Sequence, residues 1–187
     1  MVTLAAVVSA KPREDPPYPP KVRPAEIAEC IERVPKAHPR LLADAADFAT
    51  LRKAVETSPH HRALADGVIA EARAMLALKP TTRKKQGRRL LGESRRVLKR
   101  TTTLGMAFHL TGNAAFAQRC EREMLAAAGF TDWNPSHYLD VAEMTLAMAI
   151  GYDWLFHELT PDNRVVIRNA ILEKGVRLPA ENARYAG

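Results

Sequence analysis

Apolar residues recur at the spacing of an α-helix through most of this 187-residue chain, and no segment shows sustained alternation with a period of two. A strand buried on one face would require that alternation, so the pattern predicts an all-α fold. The predicted apolar stripes are Phe48, Leu51 and Val55; Leu64, Val68, Ala72, Met75 and Leu76; Val97, Leu98, Leu104 and Phe108; Phe116, Cys120 and Met124; and Val166, Ala170 and Ile171.

Residues that commonly cap helices stand at the ends of these stripes. Asp44 and Ser58 are predicted N-caps, and Pro59 suits the first helical position after Ser58. The connection 111–113, Thr-Gly-Asn, provides a left-handed C-cap at its glycine and an N-cap at its asparagine, and Thr160 caps a final helix. Short capped connections predict antiparallel helical hairpins, arranged as a toroid, a solenoid or an irregular bundle.

One predicted helix, from His137 to His157, contains the run 144–151, which is apolar on every face. Such a helix is expected to be surrounded by other helices. No stretch approaches the roughly 18 apolar residues of a membrane span, so we expect a soluble chain without a membrane partner.

The chain is expected to divide into a proline-rich leader, 1–36, and a helical domain, 37–187. Six prolines between Lys11 and Pro24 favour an extended leader, with a short helix over residues 25–34. Before them, the apolar run 4–10 ends in small residues and predicts a clipped export signal, hence a periplasmic or secreted protein. The final residues, 182–187, follow Pro179 without a finishing helix, which predicts a fragment whose continuation is missing.

The chain carries a formal net charge of +7, which favours acidic partners. Nine basic residues lie between Arg83 and Arg100 against the single acid Glu93, and they either steer an acidic polysaccharide or form a solvated face. No aromatic interleaving or zinc spacing accompanies this run, so nucleic acid is not an expected partner. Cys30 and Cys120 form no metal-binding spacing and permit at most one disulfide, and neither a metal nor a cofactor is predicted.

Three stretches carry a family resemblance. Residues 38–42 read HPRLL, residues 133–140 read WNPSHYLD, and residues 151–155 read GYDWL. Together they resemble the N-terminal domain of heparinase II/III-type polysaccharide lyases, a group that includes oligo-alginate lyases. The similarity covers roughly residues 37–175, and the middle stretch is its most specific part.

The resemblance implies an incomplete α/α toroid followed by a β-sandwich domain, with the active site between them and an acidic polysaccharide or oligosaccharide as substrate. Such enzymes cleave beside a uronic acid by β-elimination: an Asn or His neutralises the sugar carboxylate, and a Tyr or His acts as base and acid. In the family these groups lie beyond the end of this chain, so no catalytic residue is carried over and the piece alone is expected to be inactive. The alternative is a non-catalytic helical scaffold that binds an acidic polymer.

The WNPSHYLD stretch supplies the candidate substrate-binding residues, which are Trp133, Asn134, His137, Tyr138 and Asp140. On a loop entering a helix, aromatic rings can stack on sugars and polar groups can bind hydroxyls. The alternative is structural: Trp133 packs as a hydrophobic staple and Ser136 caps the helix. For Glu143 an arginine partner between helices is favoured over a metal, and for Tyr152 a hydrogen-bonded core position is favoured over catalysis.

Overall fold

The computed structural model describes residues 23–178, and the chain divides after Lys36 into two compact units. The first unit has one described helix, α1 (Pro24–Arg33), none of whose residues is buried. The predicted export signal and most of the predicted leader fall on residues 1–22, which lie outside the described residues. The predicted cut end, 182–187, lies outside them as well.

The second unit is helical throughout its described part. Its elements are α2 (Ala45–Thr57), α3 (Pro59–Met75), α4 (Leu91–Thr111), α5 (Ala114–Ala128), α6 (Tyr138–Trp154), α7 (Pro161–Ala170) and a π-helical segment (Ile171–Arg177). Between residues 23 and 178 there is no β-strand, and only an isolated antiparallel bridge joins Gln86 to Arg89. The all-α prediction is therefore confirmed.

Local capping chemistry sets the helix ends as predicted. The Asp44 carboxylate accepts hydrogen bonds from two backbone N–H groups in the first turn of α2, and Ser58 does the same once for α3. Gly112 ends α4 with φ at +68°, a left-handed conformation that costs little only without a Cβ. Asn113 and Thr160 then cap α5 and α7 through their side chains. Each of these side chains satisfies an N–H group that the helix itself leaves unpaired.

Alternate helices of the second unit are neighbours in space. Helix α4 contacts α2 and α6, while α5 contacts α3 and α7, and the members of each sequential pair also contact each other. Helices α4 and α6 run in the same direction. The N–H of Leu90, just before α4, donates to Asp140 in the first turn of α6 (2.6 Å), and His109 near the end of α4 hydrogen-bonds the carbonyl of Trp154 (2.9 Å). Their N-terminal ends therefore lie at the same side of the unit.

The core lies between these two sets of helices. It is centred on residues with no exposed surface, among them Val97, Leu104, Cys120, Met124, Met144 and Met148. Three predictions of burial were wrong: Leu64 is 59% exposed, Val166 is 48% exposed, and Leu146, within the run expected to be enclosed on every face, is 49% exposed. In α7 the buried positions are Ile167 and the predicted Ala170, so Ile167 takes the inward position that was predicted for Val166.

Two of the stretches that carry the family resemblance contact each other through Asp153. This carboxylate is 2% exposed, and its Oδ1 lies 2.6 Å from Nδ1 of His38. Its Oδ2 accepts hydrogen bonds from the backbone N–H groups of Arg40 (2.7 Å) and Leu41 (2.8 Å). The indole of Trp154 donates to the carbonyl of Leu41 (2.8 Å). The end of α6 thus holds the segment that precedes α2.

Replacing Asp153 with alanine should release residues 38–42 from the end of α6. Two backbone N–H groups and an imidazole lose their acceptor, so the free energy of unfolding should fall. We expect a decrease of only about 2 kcal/mol, because the freed segment can turn toward water and regain hydrogen bonds there. Trypsin cleavage after Arg40 should accelerate, as measured by limited proteolysis under native conditions. Asp66→Ala, at an exposed position of α3, is the control. Equal cleavage rates in both variants would contradict the assigned role of Asp153.

Candidate functional site

A buried carboxylate organises the stretch 133–140. Asp140 has no exposed surface and accepts hydrogen bonds from Nε of Arg89 (3.0 Å), the N–H of Leu90 (2.6 Å) and Nδ2 of Asn134 (2.7 Å). Asn134 also donates to the carbonyl of Arg88 (2.9 Å). Asp140 and Asn134 therefore fix the loop before α4 against the loop before α6.

Trp133 is fully buried beneath this network. Its Nε1 donates to the carbonyl of Ala127 (3.0 Å), and the π-helical segment covers the ring so closely that a Cβ placed on Gly175 would lie 3.0 Å from Cζ3. A ring without exposed surface offers no face for a sugar to stack on. Asn134 is likewise inaccessible to a ligand, because it is 1% exposed and its side-chain amide is hydrogen-bonded within the protein.

His137 and Tyr138 lie at the surface, at the start of α6. The His137 side chain is 38% exposed and Tyr138 is 53% exposed. Together with Ser136, Arg88 and Arg89, His137 lines a concavity of about 330 Å³. Of the five predicted binding residues, His137 is the one that lines this concavity, while Asp140 lies beneath it.

The basic run 83–100, which continues into α4, contributes the two arginines of the concavity. Arg83, Arg89 and Arg95 form ion pairs with Asp132, Asp140 and Glu143 respectively, at N–O distances between 2.7 and 3.1 Å. Glu143 therefore has an arginine partner, as favoured from the sequence. Arg88 is exposed, and no carboxylate within residues 23–178 lies at ion-pair distance from it. The run thus holds the two loops together and also leaves an uncompensated guanidinium at the concavity.

Two buried nitrogens at the concavity have no hydrogen-bond partner in the described part of the chain. They are Nη2 of Arg89 and Nδ1 of His137. The His137 nitrogen lies 3.6 Å from Oδ1 of Asp140, which is too far for a hydrogen bond. An unpaired buried nitrogen costs about 1–3 kcal/mol, so these two groups are an energetic cost of the arrangement beneath the concavity.

Helix geometry adds to the positive potential at this place. The concavity is lined by residues that immediately precede α4 and α6, whose N-terminal ends lie side by side. Neither Leu90 nor His137, the two N-cap residues, caps its helix through its side chain. The positive ends of both helix dipoles favour an anion nearby, and buried carboxylates in the two first turns, Glu93 in α4 and Asp140 in α6, already offset part of this potential.

Hydrogen bonding keeps two carboxyl groups near the concavity ionised. Burial by itself would raise the pKa of Asp140, but the bonds from Asn134, Leu90 N–H and Arg89 outweigh it, so the pKa is lowered. The pKa of Asp132 is also lowered, because the hydrogen bond from Arg83 and the N–H of Asn134 outweigh burial. A carboxyl group whose pKa is lower in the folded than in the unfolded protein stabilises the fold at pH values above the unfolded pKa. This stabilisation is lost as the pH falls through the folded-state pKa.

Acid titration should reveal the contribution of Asp140. The free energy of unfolding should fall as the pH drops from about 4, the pKa of an unfolded aspartate, through the lower folded-state pKa. Asp140→Asn removes this titration, so its stability should depend less steeply on pH in that range, even though it is lower at neutral pH. Urea unfolding at pH 7, 5, 4 and 3 measures how stability depends on pH in the unmodified protein and in Asp140→Asn, with Asp66→Asn as the control. Parallel curves for all three proteins would contradict the assignment.

The remaining residues singled out from the sequence lie apart from the concavity. Tyr152 packs the edge of its ring against His38 and Phe156, and among the described residues its hydroxyl makes no hydrogen bond. Cys30 and Cys120 are both free thiols, the first exposed and the second buried. Within residues 23–178 no three histidine, cysteine or acidic side chains converge as metal ligands, and no helix has the length and apolarity of a membrane span.

Arg88 and Arg89 were missed as individual site residues from the sequence. They stood within a run of nine cations whose members have different partners, and sequence spacing alone does not separate a paired arginine from an unpaired one. Of the WNPSHYLD stretch, Ser136 and His137 line the concavity together with these two arginines. The sequence matches no protein-family model, and comparison with curated proteins finds no relative.

Proposed function

We propose that this chain is the N-terminal portion of a polysaccharide lyase that cleaves uronic-acid-containing glycans, such as alginate or heparin-like polymers, by β-elimination. The observation that carries the proposal is the cationic concavity at the paired N-termini of α4 and α6, formed in part by the stretch with the most specific family resemblance. A uronic-acid polymer presents a carboxylate on each acidic residue, which suits the exposed Arg88, for which no described carboxylate lies at ion-pair distance.

The helix contacts are consistent with the architecture that the resemblance implies. In a two-layer α/α array, alternate helices are neighbours and run parallel, and the pairing of α4 with α6 has this form. We propose that the hairpins form part of an incomplete α/α toroid, completed in the whole enzyme by a β-sandwich domain. A periplasmic or secreted location belongs to the same proposal, because acidic polysaccharides of this class lie outside the cytoplasm.

A second candidate is a helical module that binds an acidic polymer without cleaving it. It is favoured by the composition of the concavity, in which two arginines are accompanied by one histidine and one serine, with no exposed carboxylate or tyrosine among its lining residues. Such a set supplies attraction and hydrogen bonds. Both candidates predict binding to an acidic polymer, and they differ in whether the whole protein cleaves that polymer.

Binding and cleavage are measured on the same samples. We expect the chain to bind alginate or heparin more tightly than polyglutamate of equal charge, and not to bind dextran, at about 0.15 M salt, where exposed charges are screened beyond about 8 Å. Absorbance of the new C4–C5 double bond reports cleavage, and its growth would exclude the pure binder. Absence of any complex with uronate polymers at low salt would contradict both candidates.

A further inference from the structure

The lining of the concavity suits a single oxyanion attached to a sugar. Its volume of about 330 Å³ is at the lower end of the roughly 300–1,000 Å³ typical of small-molecule sites. The charged groups among its described lining residues are cations, and the Asp140 carboxylate beneath them is buried and already accepts three hydrogen bonds. A ligand carboxylate would therefore meet little repulsion.

The two arginines differ in what they can offer. Arg89 is held in place through Nε by Asp140, while Arg88 is held through its backbone carbonyl by Asn134 and keeps its guanidinium free to move. A guanidinium presents two parallel N–H groups that match the two oxygens of a carboxylate. Arg88 is thus suited to bidentate binding beside a fixed second cation.

His137 supplies a third polar group at the concavity. Its backbone is fixed by a hydrogen bond from its N–H to the carbonyl of Asn134 (2.9 Å), while the unpaired Nδ1 approaches Asp140. The Arg89 and His137 side chains are 36% and 38% exposed, so their exposed parts can face an oxyanion in the concavity, while the unpaired Nη2 of Arg89 and Nδ1 of His137 are buried.

We propose that Arg88, Arg89 and His137 form a subsite for the carboxylate of one uronic-acid residue, with Asp140 as the positioning residue beneath it. The inference deepens the proposed function and rests on it for the choice of a uronate. Arg88 binds the carboxylate in bidentate fashion, Arg89 provides the fixed charge, and His137 hydrogen-bonds the same group or a neighbouring hydroxyl.

The subsite is tested with sodium glucuronate as the probe, titrated into ¹⁵N-labelled full chain at constant ionic strength. We expect saturable shifts of the backbone amides of residues 88–91 and 136–140 and of the arginine Nε–H signals, and no such shifts with glucose. Arg88→Gln should weaken glucuronate binding about tenfold, because glutamine lacks both the charge and the two parallel N–H groups of the guanidinium. Arg88→Lys should recover only part of the lost affinity, because lysine keeps the charge but lacks the two parallel N–H groups of the guanidinium.

The matched control is Arg73→Gln, at an exposed position of α3, which should leave the affinity within about twofold. Shifts that do not saturate, or that lie elsewhere, overturn the subsite, as does an Arg88→Gln variant that binds like the unmodified chain. Inorganic sulfate titrated in a separate arm should bind more weakly, and equal affinity would overturn the preference for a carboxylate.

The outcomes separate this inference from the proposed function. If alginate or heparin binds equally well to the unmodified chain and to Arg88→Gln, the polymer assignment stands and the subsite falls. If glucuronate binds at the concavity with the expected dependence on Arg88 while no uronate polymer binds, the subsite stands and the polymer assignment falls.

Discussion

Glu123→Ala is expected to destabilise the protein by about 3–5 kcal/mol, the largest effect among the substitutions considered, because it leaves a buried guanidinium without its counter-charge. Glu123 has no exposed surface, and Arg119 is 1% exposed. Nη1 of Arg119 lies 2.8 Å from Oε2 of Glu123, without the alignment of a hydrogen bond. Oε1 accepts from the N–H of Thr81 (3.0 Å) and from Arg100 (3.2 Å). Removing the carboxylate therefore affects three neighbours at once.

Urea unfolding followed by helical circular dichroism measures this loss. Since typical domains are stable by about 5–15 kcal/mol, the variant should unfold at a much lower urea concentration or fail to accumulate. Glu56→Ala, on an exposed part of α2, is the control and should change stability by less than about 0.5 kcal/mol. The double variant Glu123→Leu with Arg119→Met should be more stable than Glu123→Ala, because it removes both buried charges. A double variant less stable than the single one would contradict this explanation.

Asp140→Ala is expected to destabilise the protein by about 3 kcal/mol and to loosen both loops around the concavity. The substitution removes the acceptor of the Leu90 N–H and of Asn134, and each buried donor left unpaired costs about 1–3 kcal/mol. Arg89 loses less, because its side chain is 36% exposed and can turn toward water. The predicted total is therefore below that for Glu123→Ala.

Hydrogen exchange distinguishes local loosening from a general loss of stability. The amides of residues 88–91, 134 and 136–138 should exchange faster in Asp140→Ala, and more so than amides in the middle of α5. Asp66→Ala should change neither the unfolding free energy nor the exchange pattern, since that residue is exposed on α3. Uniform acceleration across all helices would show that Asp140 has no special relation to the two loops.

Local chemistry made the helix ends predictable from the sequence. Asp44, Ser58, Gly112 and Asn113 act within a few residues of their own positions, so their caps follow from residue type and order alone. The absence of period-two patterning likewise predicted an all-helical fold before any tertiary contact was known.

Tertiary relations were predicted less well, because they depend on which helix faces which. Val166 and Leu146 are apolar residues at helical spacing, yet each lies on a face that no described element covers fully. Trp133 illustrates the same limit, because a tryptophan on a polar loop is equally compatible with stacking on a sugar and with packing. The ring is covered by Gly175, which is distant in sequence and is brought to it by the fold. Arg88 became distinguishable from its basic neighbours only once their partners were known.

Helix α6 is anchored by an aspartate at each extremity, Asp140 in its first turn and Asp153 in its last. Its 17 residues span about 25 Å, at 1.5 Å per residue. The two ends are hydrogen-bonded to different stretches of backbone, the loop before α4 and the segment before α2. Axial sliding of this helix would stretch the bonds to Leu90 at one end and to Arg40 and Leu41 at the other in the same movement. The length of α6 therefore sets the distance between the HPRLL segment and the arginines at positions 88 and 89.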